Sequence, residues 1–289
     1  MALSPDRVRE EILEIMDRSA AAMKRVVDAY VAKQTRERDI HWLALQAAKE
    51  YTAAHVHARR LLGPTEPLAS AEEVKKALHD ASEEVEHYAA YMEVLNWFLG
   101  GQPCPVENWQ RYGNPGAYGW RFGGSFEDTL ALWPASYAYY TTRAKACKES
   151  SHWGTAAILA CGEGGAVGWH HAMSQLDLTD RFFARIVPIE REIVADELYH
   201  GPETIARLAA TPPGEPEFTE VKKYILHVRA RELGQRNEQF LHPLGDKEMA
   251  AIENDFVSGR TKPLELFRSV HLQSLEKEEA KKKVIFADR

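Results

Sequence analysis

The sequence predicts an all-α protein, and three observations support that fold class. Apolar residues recur at helical spacing near the N-terminus, for example at Val8, Ile12 and Met16. Ser4-Pro5 and the box Ser70-Ala-Glu-Glu73 are typical of helix N-termini, because a hydroxyl caps free amides and proline tolerates the first turn. Strand-type alternation of useful length does not occur. We therefore expect helices and no sheet.

Capping residues, glycines and prolines divide the chain into a series of predicted helices. Pro134 marks a bend in the fourth helix or its start, and Pro188 is expected to kink the sixth without ending it. Gly201-Pro202 are expected to distort the sixth helix just past His200. The stretch from Gly100 to Gly124 is predicted as a long loop, either a crossover connection or a substrate lid. The predicted helices span residues 4–34, 39–62, 70–99, 125–148, 151–175, 179–209, 217–240 and 246–257.

These helices are expected to form a single domain over residues 1–289. Its centre is a helical bundle at about 39–209. The N-terminal helix, 4–34, and the C-terminal helices, 216–275, are predicted to pack on that bundle.

The composition is that of an ordinary globular protein and excludes several function classes. A net charge of −7 and a pI near 6.0 argue against a nucleic-acid partner. The chain has no signal-peptide pattern and no apolar run of roughly eighteen residues, so no membrane partner is expected. Three cysteines without C-x-x-C spacing argue against a disulfide framework or a thiolate zinc site. We expect a cytoplasmic protein.

Two parts of the chain repeat one pattern of carboxylates and imidazoles. Glu84-Val-Glu-His87 follows Glu50 by 34 residues, and Glu197-Leu-Tyr-His200 follows Glu163 by the same 34. Residues three apart share a helix face, so each Glu-x-x-His can present both groups to one ion. Four carboxylates and two imidazoles converging inside four helices predict a two-metal site. The predicted ligands are Glu50, Glu84, His87, Glu163, Glu197 and His200.

The doubled spacing carries this prediction, because a single Glu-x-x-His is common and Glu50 alone could be a surface glutamate. An offset of 113 residues superposes the two halves and also aligns His57 with His170. Each histidine lies about 10 Å along its helix from the lone glutamate, too far to bind the same ion. We expect core histidines, hydrogen-bond partners or parts of a substrate channel.

Glycines crowd the predicted helix around Glu163, with four of them between residues 162 and 168. Each costs about 1 kcal/mol relative to alanine inside a helix. Two interpretations stay open. The stretch containing Gly164, Gly165 and Val167 borders a cavity for substrate or O₂, or the glycines permit close packing of helices.

The arrangement of a lone Glu and a Glu-x-x-His, twice, on long helices resembles the ferritin-like di-iron carboxylate superfamily over about residues 39–209. The resemblance implies a ferritin-like four-helix bundle with extra flanking helices. It also implies two Fe ions as cofactors (Mn or mixed Mn/Fe being possible) and O₂ as co-substrate. Glu84 and Glu197 would then bridge or face the metals, and Glu50 and Glu163 would be terminal ligands.

The same resemblance implies supporting residues and partners. Asp80 and Glu190 would orient the ligand histidines from behind, and no catalytic residue is expected beyond the metal ligands. The expected partners are a small-molecule substrate, an external electron donor such as a ferredoxin or reductase, and a second copy of the chain in a homodimer.

Two subfamilies share features with this chain. Asp196-Glu-Leu-Tyr-His200 is similar to the D-E-x-x-H element of bacterial multicomponent monooxygenases, whose large subunits are much longer. The di-iron arylamine N-oxygenases resemble the chain in size, but they carry an extra histidine one turn before the second E-x-x-H, where this chain has Ile193. That departure counts against arylamine N-oxygenation.

The predicted function is that of an O₂-dependent non-haem di-iron oxidase or oxygenase, such as a monooxygenase, acting on a small organic substrate. The alternatives are an R2-like Mn/Fe oxidase, a ferritin- or rubrerythrin-type protein that handles iron or peroxide, and a metal-free helical interaction protein.

Overall fold

The computed structural model describes residues 3–62, 70–113, 130–198 and 200–269, excluding some side chains inside helices, among them those of Glu163 and His200. Over these ranges the protein is helical and has no β-strand, which confirms the all-α prediction. The helices are α1 Pro5–Ala32, α2 Arg36–Leu62, α3 Ala71–Leu99, α4 Pro134–Glu149, α5 His152–Ser174, α6 Phe183–Glu197, α7 His200–Ala209, α8 Glu215–Gln239 and α9 Asp246–Val257, with a 3-10 turn at Trp109–Arg111.

The helix N-termini follow the capping signals of the sequence. Ser4 Oγ accepts a hydrogen bond from the Arg7 amide at 3.3 Å, and Ser151 Oγ accepts one from the Gly154 amide at 3.0 Å. Pro134 is the first residue of α4, so the proline begins this helix. The predicted helix start at Ser125, most of the predicted loop beyond residue 113, and the part of the predicted C-terminal helices beyond residue 269 lie outside the described residues.

Helices α2 and α3 form a long antiparallel pair. At one end Arg36, in the first turn of α2, donates to the Phe98 carbonyl near the end of α3. At the other end His57 of α2 lies 3.7 Å from Asp80 of α3. Helix α3 packs on α6, and α2 packs on α8. This pairing sets late positions of α2 against early positions of α3.

Helix α5 occupies the centre of the fold and contacts α1, α4, α6, α7 and α8. Trp169 of α5 and Trp42 of α2 are fully buried and meet edge to face with ring centroids 6.2 Å apart. Because α1 and α8 both lie against α5, they form part of the main core.

The prediction of one helix over 179–209 is wrong in its continuity. Helix α6 ends at Glu197, Leu198 is a turn residue and α7 begins at His200, so the two predicted ligands belong to different helices. Pro202 has no amide to bond the carbonyl of Leu198, a bond that a continuous helix would make. Pro188 lies inside α6 without ending it, as predicted. None of the described helices is long and apolar enough to cross a membrane.

Candidate metal centre

Three of the predicted ligands converge between α2 and α3. One ligand atom each from Glu50, Glu84 and His87 can be chosen so that all three lie within 4.8 Å of one another. Glu50 is 8% exposed and His87 is 6% exposed, so two of the groups are buried. A buried carboxylate beside a second, half-buried one is costly unless a cation or protons compensate their charge.

The local sequence explains how these groups meet. Glu84 and His87 are three residues apart on α3 and therefore share one face of that helix. Glu50 lies opposite them because α2 runs antiparallel to α3. The neighbouring Ala47 and Ala54 are buried and small, so they leave space around the Glu50 carboxylate.

The electrostatics of the cluster indicate an excess of negative charge. Burial raises the pKa of Glu84 well above its usual value, and the nearby charges of Glu50 and Glu197 raise it further. Desolvation alone would lower the pKa of His87, but the Glu84 hydrogen bond and the surrounding carboxylates outweigh it and raise the pKa to about 9. Without a metal, the cluster therefore holds protons where a cation could bind.

The second half of the repeat is placed only in part. Glu197 is the last residue of α6, and its charge acts on both Glu84 and His87. Glu163 belongs to α5 and His200 begins α7, but their side chains lie outside the described residues. The structure thus brings three predicted ligands together and places a fourth within electrostatic range.

The two residues predicted to orient the histidines have described partners. Asp80 lies 3.0 Å from Lys76 Nζ and 3.7 Å from His57, so it faces His57 and not a predicted ligand. Glu190 is fully buried, accepts a hydrogen bond from Tyr91 at 2.7 Å, and lies 2.6 Å from His170 Nδ1. The histidine that Glu190 contacts is therefore His170.

Burial sets the charge state of the Glu190–His170 pair. It raises the pKa of Glu190 well above its usual value and lowers the pKa of His170 well below its own. The pair is therefore neutral overall, and Tyr91 adds a third hydrogen-bonded group. His170 is a satisfied core histidine, which is one of the roles expected for it.

His57 lies nearer the centre than distance along its own helix suggests. Its Nε2 is 4.0 Å from Glu84 Oε1. The predicted separation of about 10 Å was measured along α2, from Glu50 to His57. Glu84 belongs to the antiparallel helix α3, which places its carboxylate beside His57. His57 is a neighbour of the site through α3.

Three of the α5 glycines, Gly164, Gly165 and Gly168, have close neighbours, which favours the interpretation that they permit close packing of helices. A methyl group at Gly168 would lie 2.7 Å from the Ala20 Cα of α1, and one at Gly164 would lie 3.1 Å from the Gly201 Cα of α7. At Gly165 it would overlap the guanidinium of Arg229. These glycines let neighbouring groups approach the α5 backbone. A passage for substrate or O₂ along Gly164, Gly165 and Val167 stays a prediction.

Sequence reasoning missed the residues behind Glu50. Gln46 Nε2 donates a hydrogen bond to Glu50 Oε1, and Gln46 Oε1 accepts one from Arg236 Nη1 at 3.1 Å. Half-buried Lys49 stands next to Glu50, and burial, with the charge of Arg236, lowers the pKa of Lys49 to about 7. The four-residue step from Gln46 to Glu50 was visible in the sequence, whereas the approach of α8 was not.

Asp196 was also missed as a site residue. Its Oδ2 lies 3.6 Å from His87 Nε2, while His87 Nδ1 lies 3.9 Å from Glu84 Oε2. Nδ1 therefore faces the carboxylate cluster and Nε2 faces Asp196. A carboxylate behind a ligand histidine is a common feature of metal sites.

The donor set fits iron or manganese. It offers carboxylate oxygens and an imidazole nitrogen without a thiolate, a combination that suits these ions. The charges of Glu50 and Glu197, which add to the effect of burial in raising the pKa of Glu84, are charges that a bound cation would offset. Comparison with known proteins identifies no family, since no family model, no curated protein and no solved structure matches the chain.

Proposed function

We propose that this protein is an O₂-dependent oxidase or oxygenase that acts on a small organic molecule through two metal ions, most simply iron. The convergence of Glu50, Glu84 and His87 in the interior carries the proposal. Glu197, Glu163 and His200 complete the proposed ligand set, on a four-helix bundle of the ferritin-like type. Two ferrous ions bound there would supply electrons to O₂ together.

The chain's own residues have defined tasks in this proposal. Gln46 holds the Glu50 carboxylate through its side-chain amide. Asp196 favours a proton on His87 Nε2, which leaves Nδ1 to face the carboxylates. Glu50 and His87 are buried, and a site with little water strengthens the charge interactions inside it.

Partners and compartment follow as proposals. The cycle would require an external electron donor such as a ferredoxin or a reductase. The three cysteines are all free thiols, which fits a reducing, cytoplasmic setting.

The direct experiment loads the purified protein with ferrous iron without oxygen and then admits O₂. About two irons per chain should bind, and absorption and Mössbauer spectra should change on oxidation. Glu84→Gln should lose most of this iron, whereas Glu86→Gln should not, since Glu86 is an exposed glutamate of the same helix. Wild-type protein that binds no iron would refute the proposal.

Metal analysis and sizing separate the related functions. Manganese bound together with iron after expression would favour an R2-like Mn/Fe oxidase. Assembly into a shell of many subunits would favour an iron-storage role. If Glu84→Gln gains stability and the wild type never binds metal, the protein is a metal-free helical protein, because removing an uncompensated buried charge stabilises a fold.

A further inference from the structure

A second polar cluster lies inside the fold, next to the proposed metal centre and opposite to it in charge. The cationic cluster consists of Lys49 of α2, Arg143 of α4, and Arg229 and Arg236 of α8. Arg229 and Arg236 are each 1% exposed, and Lys49 and Arg143 are half-buried. Lys49 acts electrostatically on both Arg143 and Arg236, so these cations share one region.

The anions around the cationic cluster do not balance it. Glu232 forms an ion pair with Arg229 and lies 3.6 Å from Arg236, and over the described ranges it is the one carboxylate in ion-pair contact with these two arginines. Within the cationic cluster, the charge of Glu50 acts on Lys49. Arg143 instead lies 3.4 Å from the Tyr139 hydroxyl, with its guanidinium over the rings of Tyr139 and Tyr140. The two fully buried guanidinium groups, those of Arg229 and Arg236, therefore share one carboxylate, which is unfavourable in the absence of another anion.

Two donors of the cationic cluster have no acceptor in the part of the chain that is described. They are Arg229 Nη2 and Arg236 Nε, and both atoms are inaccessible to solvent. Buried guanidinium donors are normally satisfied, because an unpaired one costs its full desolvation energy. The remaining donors of Arg229 bond Ser19 and Glu232, so this side chain is held in place.

The cationic cluster is connected to the proposed metal centre by hydrogen bonds. Arg236 Nη1 donates to Gln46 Oε1 at 3.1 Å, and Gln46 donates to Glu50. Lys49 directly precedes Glu50 in the chain. One side chain, that of Gln46, therefore separates Arg236 from Glu50, so a molecule bound at the cationic cluster would lie close to the proposed metal centre.

We propose that the cationic cluster binds the carboxylate group of the substrate, so that the oxidised molecule is a small organic acid. The role as a substrate site rests on the proposed function, whereas the binding of a carboxylate does not. A carboxylate offers two oxygens in the planar spacing that guanidinium forks recognise, and it supplies the missing negative charge. Its single charge also costs less to bury than the double charge of a phosphate.

The test measures the melting temperature of the metal-free, full-length protein in a concentration series of sodium acetate. Sodium chloride at equal ionic strength and acetamide, the neutral analogue, are the controls. Acetate should raise the melting temperature in a saturating manner, since a ligand that binds only the folded state stabilises it. Chloride and acetamide should not.

Variants locate the effect. Arg143→Met should weaken acetate binding by about tenfold or more. Arg143 contacts the Tyr139 hydroxyl, and Glu232 keeps its ion pair with Arg229, so this substitution leaves no carboxylate unpaired. Arg229→Lys, which keeps the charge and loses the fork, provides the second variant if Arg143→Met does not fold. Lys75→Met removes an exposed lysine and should retain the full acetate response.

Each outcome decides the question. A melting temperature that responds equally to acetate and chloride would overturn the proposal, as would an acetate response unchanged in both arginine variants. Because the protein is metal-free in this test, an acetate response without any iron binding would keep the carboxylate site and remove the proposed oxidation. Iron binding without an acetate response would keep the proposed metal site and refute the carboxylate site.

Discussion

The two halves of the repeated Glu and Glu-x-x-His pattern have the same spacing but different local structures. In the first half, α3 is unbroken through Glu84 and His87, and both side chains meet Glu50. In the second half, the helix breaks between Glu197 and His200. Equal spacing in sequence therefore does not guarantee that a Glu and a His three residues apart lie on one continuous helix. In the second half, a proline two residues beyond the motif cannot donate the backbone hydrogen bond that a continuous helix needs.

The surroundings of the halves also differ. The first half is supported by the side chains of Gln46 and Asp196. The second half depends on α5, whose glycines accept the backbones of α1 and α7 at close range. The first half is therefore tuned by polar neighbours, whereas close backbone packing fixes the position of the second.

The largest effect is expected from removing one histidine of each half. His87→Ala and His200→Ala should each reduce iron from about two per chain to fewer than one, because the two proposed metals would depend on the carboxylates of one cluster. Iron content measured after anaerobic loading and desalting tests this. If His200→Ala retains all its iron while His87→Ala loses it, the site belongs to the first half alone.

A smaller effect is expected from pH on the metal-free protein. The folded-state pKa of His87 is about 9, above its unfolded value near 6.5, so its stabilisation is complete below about pH 6.5 and lost as the pH rises through about 9. The raised pKa of Glu84 acts in the same direction. Unfolding by urea should show a loss of up to about 3 kcal/mol across this window.

Glu84→Gln tests the origin of this pH dependence. It removes the carboxylate that hydrogen-bonds His87, so the loss of stability between pH 6.5 and 9 should become smaller. Glu86→Gln should retain the wild-type slope. An unchanged slope in Glu84→Gln would place the titrating group elsewhere.

The smallest effect concerns the glycines of the second half. Gly168→Ala should destabilise the fold by about 1–3 kcal/mol, because its methyl group would meet the α1 backbone at Ala20. Gly162→Ala should be neutral or stabilising, since the nearest atom to its methyl would be the Tyr139 hydroxyl at 3.9 Å. Thermal unfolding of both variants provides the comparison. Equal tolerance at both positions would contradict the packing interpretation.

Much of the architecture could be predicted from the sequence. The starts of α1 and α5 follow Ser4 and Ser151, and the ends of α3 and α9 agree with the predicted bounds. These features depend on local backbone chemistry, namely caps, prolines and side-chain periodicity, which a few neighbouring residues decide. The end of α6 at Glu197 was not predicted, because the bond that Pro202 cannot make belongs to the Leu198 carbonyl, which precedes the histidine.

The polar face of α8 could not be predicted in the same way. Arg229, Glu232 and Arg236 resemble the exposed side of a surface helix, yet all three are buried. Which charges lie inside depends on the helices that surround α8, and periodicity carries no information on those neighbours.

The sequence by itself determined the helical class and the doubled ligand pattern, because helix geometry translates spacing into shared faces. Only the tertiary structure decided which groups meet across helices. The antiparallel pairing of α2 with α3 brings Glu50 to Glu84 and sets His57 beside them. The approach of α8 places Arg236 behind Gln46. Contacts between distant segments arise from packing the whole chain, and no local rule of spacing specifies them.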